Sequence, residues 1–392
     1  MRHEALPDRD RARRLLHAIA ALPPAAGPRP ADKPLMLYGA GNLGRMAKVL
    51  LDRIGIPVEA VVDANARAIR AEPFWQHTPL LAPDEVDTRR RGDCLLAVTI
   101  ATLPWNTVAD PLRDAGWRDV VPFYDVAEAY RDRHPLGNGW FAGRLDDGDL
   151  RETAAVLDRW ADDASRAHHL QFLAWHCLRE DWSFAGAPVI PDDRFFIPEI
   201  LRVLHDDEAF ADLGAHHGTT VQRFVETVRG RFRTIWAIEP DADNLATLHR
   251  TVGAMAGPVR ERIAILPVAV ASERRQAPFF AGLGYASQCS ALGRSSQQTE
   301  TVDALGLAPS FVKLHLEGAE LDALNGARAT LQRQRPIVVA TSYHDRAGIW
   351  ELPRWLMRTL GDYVFYLRTH SWCGTGAVVY CIPRERSEHA SR

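Results

Sequence analysis

The sequence predicts an α/β protein with two doubly wound parallel sheets joined by a helical connector. Three observations carry that prediction. Short apolar runs alternate with helical stretches twice along the chain, the pattern of strand–helix–strand units. Each alternation opens on a glycine-bearing turn that follows a strand and starts a helix. Between them, from about 147 to 182, Leu150, Ala154, Leu157, Trp160 and Ala161 recur at three- and four-residue steps, the period of a helix. The expected units are 1–32 (helix and linker), 33–135 (first sheet), 136–190 (connector) and 191–392 (second sheet).

Within the first part, residues 1–22 read as an amphipathic helix, closed by the breaker stretch from Pro23 to Pro30. Apolar runs at 35–38, 58–62, 94–100 and 119–123 supply four strands, with a helix from 43 to about 54. The second unit offers seven strands, at 209–212, 234–239, 263–270, 311–317, 336–341, 363–368 and 377–382. Helices are expected near 219–229, 241–252, 319–333 and 350–360. The crowding of the last strands suits a β-hairpin added to the sheet edge. The connector's Trp160, Trp175 and Trp182 read as packing, and His168, His169 and His176 as surface or packing residues.

Composition excludes several classes. With 392 residues, 46% hydrophobic and 25% charged, the chain has ordinary globular composition and enough length for more than one core. A formal net charge of −3 leaves no basic footprint for nucleic acid. No apolar run approaches the roughly 18 residues of a membrane helix. The apolar run from Leu15 to Leu22 is too short and too closely preceded by Glu4, Asp8 and Asp10 for a targeting peptide. Five cysteines without a CxxC pair read as reduced thiols, so a cytoplasmic location is expected. Only three of the 47 basic residues are lysines: Lys33, Lys48 and Lys313. An ammonium kept in so arginine-rich a chain draws attention to its position, because a guanidinium fork does not replace it everywhere.

Two turns carry chemistry. Gly39-Ala40-Gly41-Asn42-Leu43-Gly44 is a G-x-G-x-x-G after a strand and before a helix. Gly39, Gly41 and Gly44 allow a tight turn and close ligand approach, and helix amides face a phosphate. Asp63 stands where a ribose-binding acid ends the next strand, so a Rossmann-like unit for a nucleotide or nucleotide-sugar is expected. No base for hydride transfer accompanies it. The second turn, Asp212-Leu213-Gly214-Ala215-His216-His217-Gly218, lacks closely spaced dinucleotide glycines. It suits an adenosyl group bearing a sulfonium. Asp212 meets the ligand's ammonium or water, Gly214, Ala215 and Gly218 permit close approach, and Glu239 before Pro240 accepts the ribose hydroxyls.

From about 190 onward the chain resembles the FkbM family of S-adenosylmethionine-dependent methyltransferases. The matching blocks include Phe210–Ala215, Glu239-Pro240-Asp241, Thr301–Leu305, Phe311–Glu320 and Ser342-Tyr343-His344. The resemblance implies a class I methyltransferase fold, S-adenosylmethionine as cofactor and O-methylation, often of sugars or polyketide-type products. His315 departs from it, standing where the family commonly has Asp in K-x-D-x-E-G; His216 and His217 depart in the first turn.

Alternation along a strand places Lys313, His315 and Glu317 on one face, where a central parallel strand should be apolar. Transfer to a hydroxyl requires removal of its proton. His315 suits the base, Glu317 orients it, Lys313 steadies an acceptor oxygen, and His344 is a second base candidate. A buried Lys313–Glu317 ion pair is the structural alternative. Asp303, His315 and Glu317 would be the ligands of a divalent ion, but no metal is expected. His370 is expected to face substrate or solvent. The reading is an O-methyltransferase acting on a sugar or glycosylated metabolite, with a small carbohydrate acceptor, no nucleic-acid or membrane partner, and room for a homo-oligomer. The alternatives are an NAD(P)-dependent oxidoreductase or a nucleotide-sugar-binding protein using the N-terminal unit.

Overall fold

The protein was analysed as a computed structural model, which describes residues 1–389. The N-terminal sheet is parallel, in the order Leu80–Leu81, Val58–Val62, Leu35–Tyr38, Leu95–Val98, Asp119–Pro122. Alternation along its strands fills two cores. Leu35, Leu37, Val61 and Ala97 face one side; Met36, Val62, Leu96 and Val98 face the other. Burial on both faces is why these runs read as continuously apolar.

The C-terminal sheet has seven strands. Its order is Ile263–Leu266, Thr234–Ile238, Ala209–Leu213, Phe311–Leu314, Ile337–Thr341, Ala377–Pro383, Tyr363–Thr369. The first five run parallel and the last two form the expected antiparallel hairpin. Phe210, Phe311 and Val339 enter one core, while Ala211, Val312, Leu314 and Val338 enter the opposite one. The chain reverses at Ala209–Leu213, so the ligand-binding switch point lies where that strand and Phe311–Leu314 end side by side.

The connector does more than join. Helices Asp147–Arg159 and Asp163–Leu178, with Arg9–Ala21, share the core of the C-terminal sheet. Asp163–Leu178 is buried nearly all round, including Trp175, His168, His169 and His176. These three histidines are packing residues.

Several expected elements differ. The strand expected over 311–317 ends at Leu314, because Glu317 (φ 52°) and Gly318 (φ 100°) turn the backbone left-handed. His315 and Glu317 therefore sit on a loop, outside the strand alternation. The run 263–270 splits at Pro267: Ile263–Leu266 stays in the main sheet, and Ala269–Val270 joins a small one. That small sheet, completed by Ser295–Glu300, Gln276–Phe280 and Gln288–Cys289, has no clear sequence signal, since two of its strands are only two residues long, Ser295–Glu300 is polar, and Gln276–Phe280 carries a proline. The helix expected over 319–333 is two, Glu320–Asn325 and Arg328–Gln334. Leu283 and Ala286, from the loop inside the small sheet, pack into the N-terminal core and dock the two units together. No helix among the described residues is long and apolar enough to cross a membrane.

Candidate active site

One cavity of about 820 Å³ lies between the units, lined by the carboxyl ends of both sheets. Gly39, Gly41 and Asp63 enter it from the N-terminal sheet. Gly214, Ala215, Glu239, Pro240, Lys313, His315 and Glu317 enter it from the C-terminal one. Asp212, Gly218, Gly44 and His344 do not line it. Gly44 packs its helix against the Gly39 carbonyl, and Gly218 sits left-handed (φ 84°) against Leu248, so both shape the turns from behind.

The two turns are built alike. Asp63 accepts from the Ala40 amide at 2.7 Å, and Glu239 accepts from the His216 amide at 2.8 Å. Glu239 also receives the Asp241 amide (2.9 Å) and the Asn244 side-chain amide (3.3 Å), and burial raises its pKa. Asn244 itself lines the cavity, a contributor that the sequence reading missed. Gly214 has φ 83°, and a Cβ there would meet the His315 carbonyl oxygen, so the position is closed to any side chain.

Asp212 lies inside its strand instead of at its tip, fully buried, directly beside Lys313 in the parallel register. Lys313 Nζ is 2.8 Å from Asp212 Oδ1 and donates to the Gly214 carbonyl at 2.7 Å. Glu317, the partner in the structural alternative, is not the one it takes. Burial raises the pKa of Asp212 against the pull of Lys313. This ammonium ties the glycine turn to the sheet, and its short contacts are to protein groups. A buried ion pair with a backbone acceptor is costly to break from either side.

The loop after Leu314 gathers the remaining groups. His315 Nε2 lies 3.1 Å from Glu317 Oε1 and 3.2 Å from the Tyr343 hydroxyl. Burial lowers the His315 pKa to about 4, so the ring is neutral at pH 7. Behind it, His344 stands between two carboxylates, with Nε2 3.4 Å from Glu317 and Nδ1 2.9 Å from Glu320. Burial alone would lower the His344 pKa, but Glu320 and Glu317 together hold it well above the usual histidine value. Glu317 would be raised by burial, yet His344 and His315 hold it well below the carboxylate range. Glu320 also accepts from the Leu316 amide (2.8 Å), the Gly318 amide (3.0 Å) and the Thr341 hydroxyl (2.7 Å). It is the keystone of the loop, and sequence reading gave it no role. Its i,i+3 relation to Glu317 was visible; what it held was not.

Two expectations fail on contacts. Asp303 accepts from the amides of Ala329 and Thr330 at 3.1 and 2.7 Å, capping a helix, so it is not a ligand beside His315 and Glu317. His370 is buried, with Nδ1 2.6 Å from the Ile190 carbonyl and Nε2 2.6 Å from the Tyr380 hydroxyl, and it faces neither substrate nor solvent.

The family model for the methyltransferase FkbM domain matches residues 212–367. The crystal structure of methyltransferase FkbM from Methylobacillus flagellatus KT is similar over 96% of this chain and 94% of that one, with a TM-score of 0.63 and 19% identity. The shared fold therefore includes the N-terminal unit as well as residues 212–367. Precorrin-6y C5,15-methyltransferase from Geobacter metallireducens GS-15 matches over 50% of this chain and 96% of that one, at 15% identity and a TM-score of 0.29. Comparison with curated proteins gives no match.

Proposed function

We propose that the protein is an S-adenosylmethionine-dependent O-methyltransferase acting on a hydroxyl of a sugar or glycosylated metabolite. The observation that carries this reading is the single cavity running from the Gly214 turn and Glu239 to the His315–Glu317 loop. The fit to the cofactor rests on that cradle: Gly214 lines the cavity in a left-handed turn whose packing on the His315 carbonyl leaves no room for a side chain, and Glu239 presents a buried carboxylate beside it. Gly214, Ala215, Glu239 and Asn244 are the residues that would hold the cofactor. Bound there, it supplies an electrophilic methyl group on a positively charged sulfur.

The chain's own residues do the rest. His315, neutral and facing the cavity, takes the acceptor's proton together with Glu317, whose negative charge stabilises the imidazolium that forms. Lys313 acts at a distance, keeping the Gly214 carbonyl and hence the cradle in place.

A second assignment concerns the N-terminal turn. Gly41 is open to the cavity, with no atom within 4 Å of the point where a Cβ would stand, and Asp63 is next to it. We assign this end to the acceptor, as a subsite for a nucleotide-type or sugar moiety. Calorimetry with S-adenosylhomocysteine tests the main reading. Binding in the micromolar range, lost in Glu239→Ala, is the expected result; no binding to the wild-type protein refutes it.

A further inference from the structure

We propose that His315, Glu317 and His344 bind a divalent transition-metal ion at the floor of the cavity. One nitrogen from each histidine and one Glu317 oxygen lie within 4.8 Å of one another. Two of the three edges are known closely: 3.1 Å from His315 to Glu317 and 3.4 Å from His344 to Glu317. Ligands at about 2.1 Å from one ion stand about 3.0 Å apart in cis-octahedral geometry and about 3.4 Å apart in a tetrahedron. The observed edges match those spans.

His344 supplies an independent sign. It is 7% exposed, and neither ring nitrogen has a hydrogen-bond partner of good geometry, although Glu317 and Glu320 approach to 3.4 and 2.9 Å. The contacts are close but not directed as hydrogen bonds are. At Nε2, 3.4 Å from Glu317, a lone pair aimed at a common point explains that better than an N–H aimed at an oxygen, the ion taking the place of the proton that the two carboxylates otherwise hold on the ring. Glu320 then takes the place of the outer carboxylate that orients a metal-bound histidine, and it is itself pinned by Leu316, Gly318 and Thr341. Glu317 holds a left-handed backbone (φ 52°) that a glutamate adopts only when its surroundings impose it. Two buried carboxylates around one histidine also favour a cation between them.

Two imidazoles and one carboxylate, with the remaining positions open to the cavity, suit zinc, manganese, iron or cobalt better than magnesium or calcium. The ion's effect at the reaction end, and only that, rests on the proposed methyl transfer. With the ion bound, His315 and Glu317 serve as its ligands in place of the proton-accepting role: the ion would coordinate the acceptor oxygen and lower the hydroxyl pKa, the proton leaving to water.

The test uses the full-length protein stripped with a chelator and titrated with Co²⁺, followed by its visible absorption. S-adenosylhomocysteine binding is measured in parallel. The expected result is one Co²⁺ per chain. His344→Ala should weaken it more than about 100-fold, and Glu320→Gln, which conserves volume and fold, about 10- to 100-fold. Absence of Co²⁺ bands in the wild-type protein, or wild-type affinity in both His344→Ala and Glu317→Gln, overturns the proposal. Failure of Co²⁺ to bind while S-adenosylhomocysteine binds removes the ion alone. Binding of Co²⁺ without S-adenosylhomocysteine supports the ion and removes the cofactor reading.

Discussion

The N-terminal and C-terminal glycine turns follow one plan and end differently. In each, a carboxylate at the end of the second strand reaches back to an amide of the first turn: Asp63 to Ala40, Glu239 to His216. What differs is the strand on the other side. Beside Leu35–Tyr38 lies Leu95–Val98, followed by Thr99, whose hydroxyl donates to the carbonyls of Tyr38 and Gly39 at 2.9 and 2.8 Å. Beside Ala209–Leu213 lies Phe311–Leu314, followed by His315 and Glu317. In the proposed function a glycine turn with its acid holds a ligand, and the groups after the neighbouring strand decide whether anything happens to it. The N-terminal unit has the first half of this arrangement only.

The comparison breaks most sharply at His315. His315→Ala is expected to lower methyl transfer by about 10²- to 10⁴-fold, the usual contribution of a positioned proton acceptor, with S-adenosylhomocysteine affinity unchanged by calorimetry. Thr99→Ala, its counterpart in the N-terminal turn, should leave turnover within a few-fold. Comparable losses in both would show that the two turns share the chemistry.

Next comes Lys313. Lys313→Met strands Asp212 in the sheet and should cost about 3–5 kcal/mol in denaturant unfolding, as expected when one partner of a buried pair is removed. Lys313→Arg should also destabilise, because a guanidinium is too large for the space between Asp212 and the Gly214 carbonyl. The other two lysines make surface pairs, Lys33 with Asp119 and Lys48 with Asp52. Their Arg variants should stay within about 0.5 kcal/mol of wild type. A stable Lys313→Met protein would remove the structural role of that ammonium.

Acid separates the two sheets as well. Burial lowers His168 to about 3, His169 to about 4 and His176 to about 3, all on the helix that packs on the C-terminal sheet. The unfolded chain binds protons on these groups below about pH 6.5 and the folded one does not, so their stabilisation is present above that value and lost as pH falls toward 4. Thermal unfolding followed by tryptophan fluorescence should show the midpoint falling steadily below pH 6, and His176→Gln should flatten the slope. A midpoint constant from pH 7 to 4.5 would contradict the burial of these rings. The smallest effect is expected at Gly41, where an alanine meets open space: folding should be unaffected, while an acceptor using that subsite should show a raised KM.

Much of this was legible locally. Residues 209–212 and 234–239 announced strands by apolar content, and Gly214 announced a turn because a left-handed residue in close contact must be glycine. The small sheet around Gln276–Phe280 was not legible, because its strands are short, interrupted by Pro278 or polar as in Ser295–Glu300, and owe their pairing to one another. The strand reading of 311–317 failed for a related reason. Alternation of Lys313, His315 and Glu317 is also what a strand followed by a loop produces when two left-handed residues end it.

By itself, then, the sequence determined the strand–turn–helix order of both units, the two glycine turns with their acids, and the titratable run from Lys313 to Glu317 at the central strand. Those features depend on residues a few positions apart, whose periodicity and backbone preferences act locally. The tertiary structure alone decided that Lys313 pairs with Asp212 rather than Glu317, that His344 and Glu320 converge behind His315, and that both turns open into one cavity. These depend on lateral strand register and on the docking of one sheet edge against another, which join residues tens to hundreds of positions apart and leave no periodic trace in the chain.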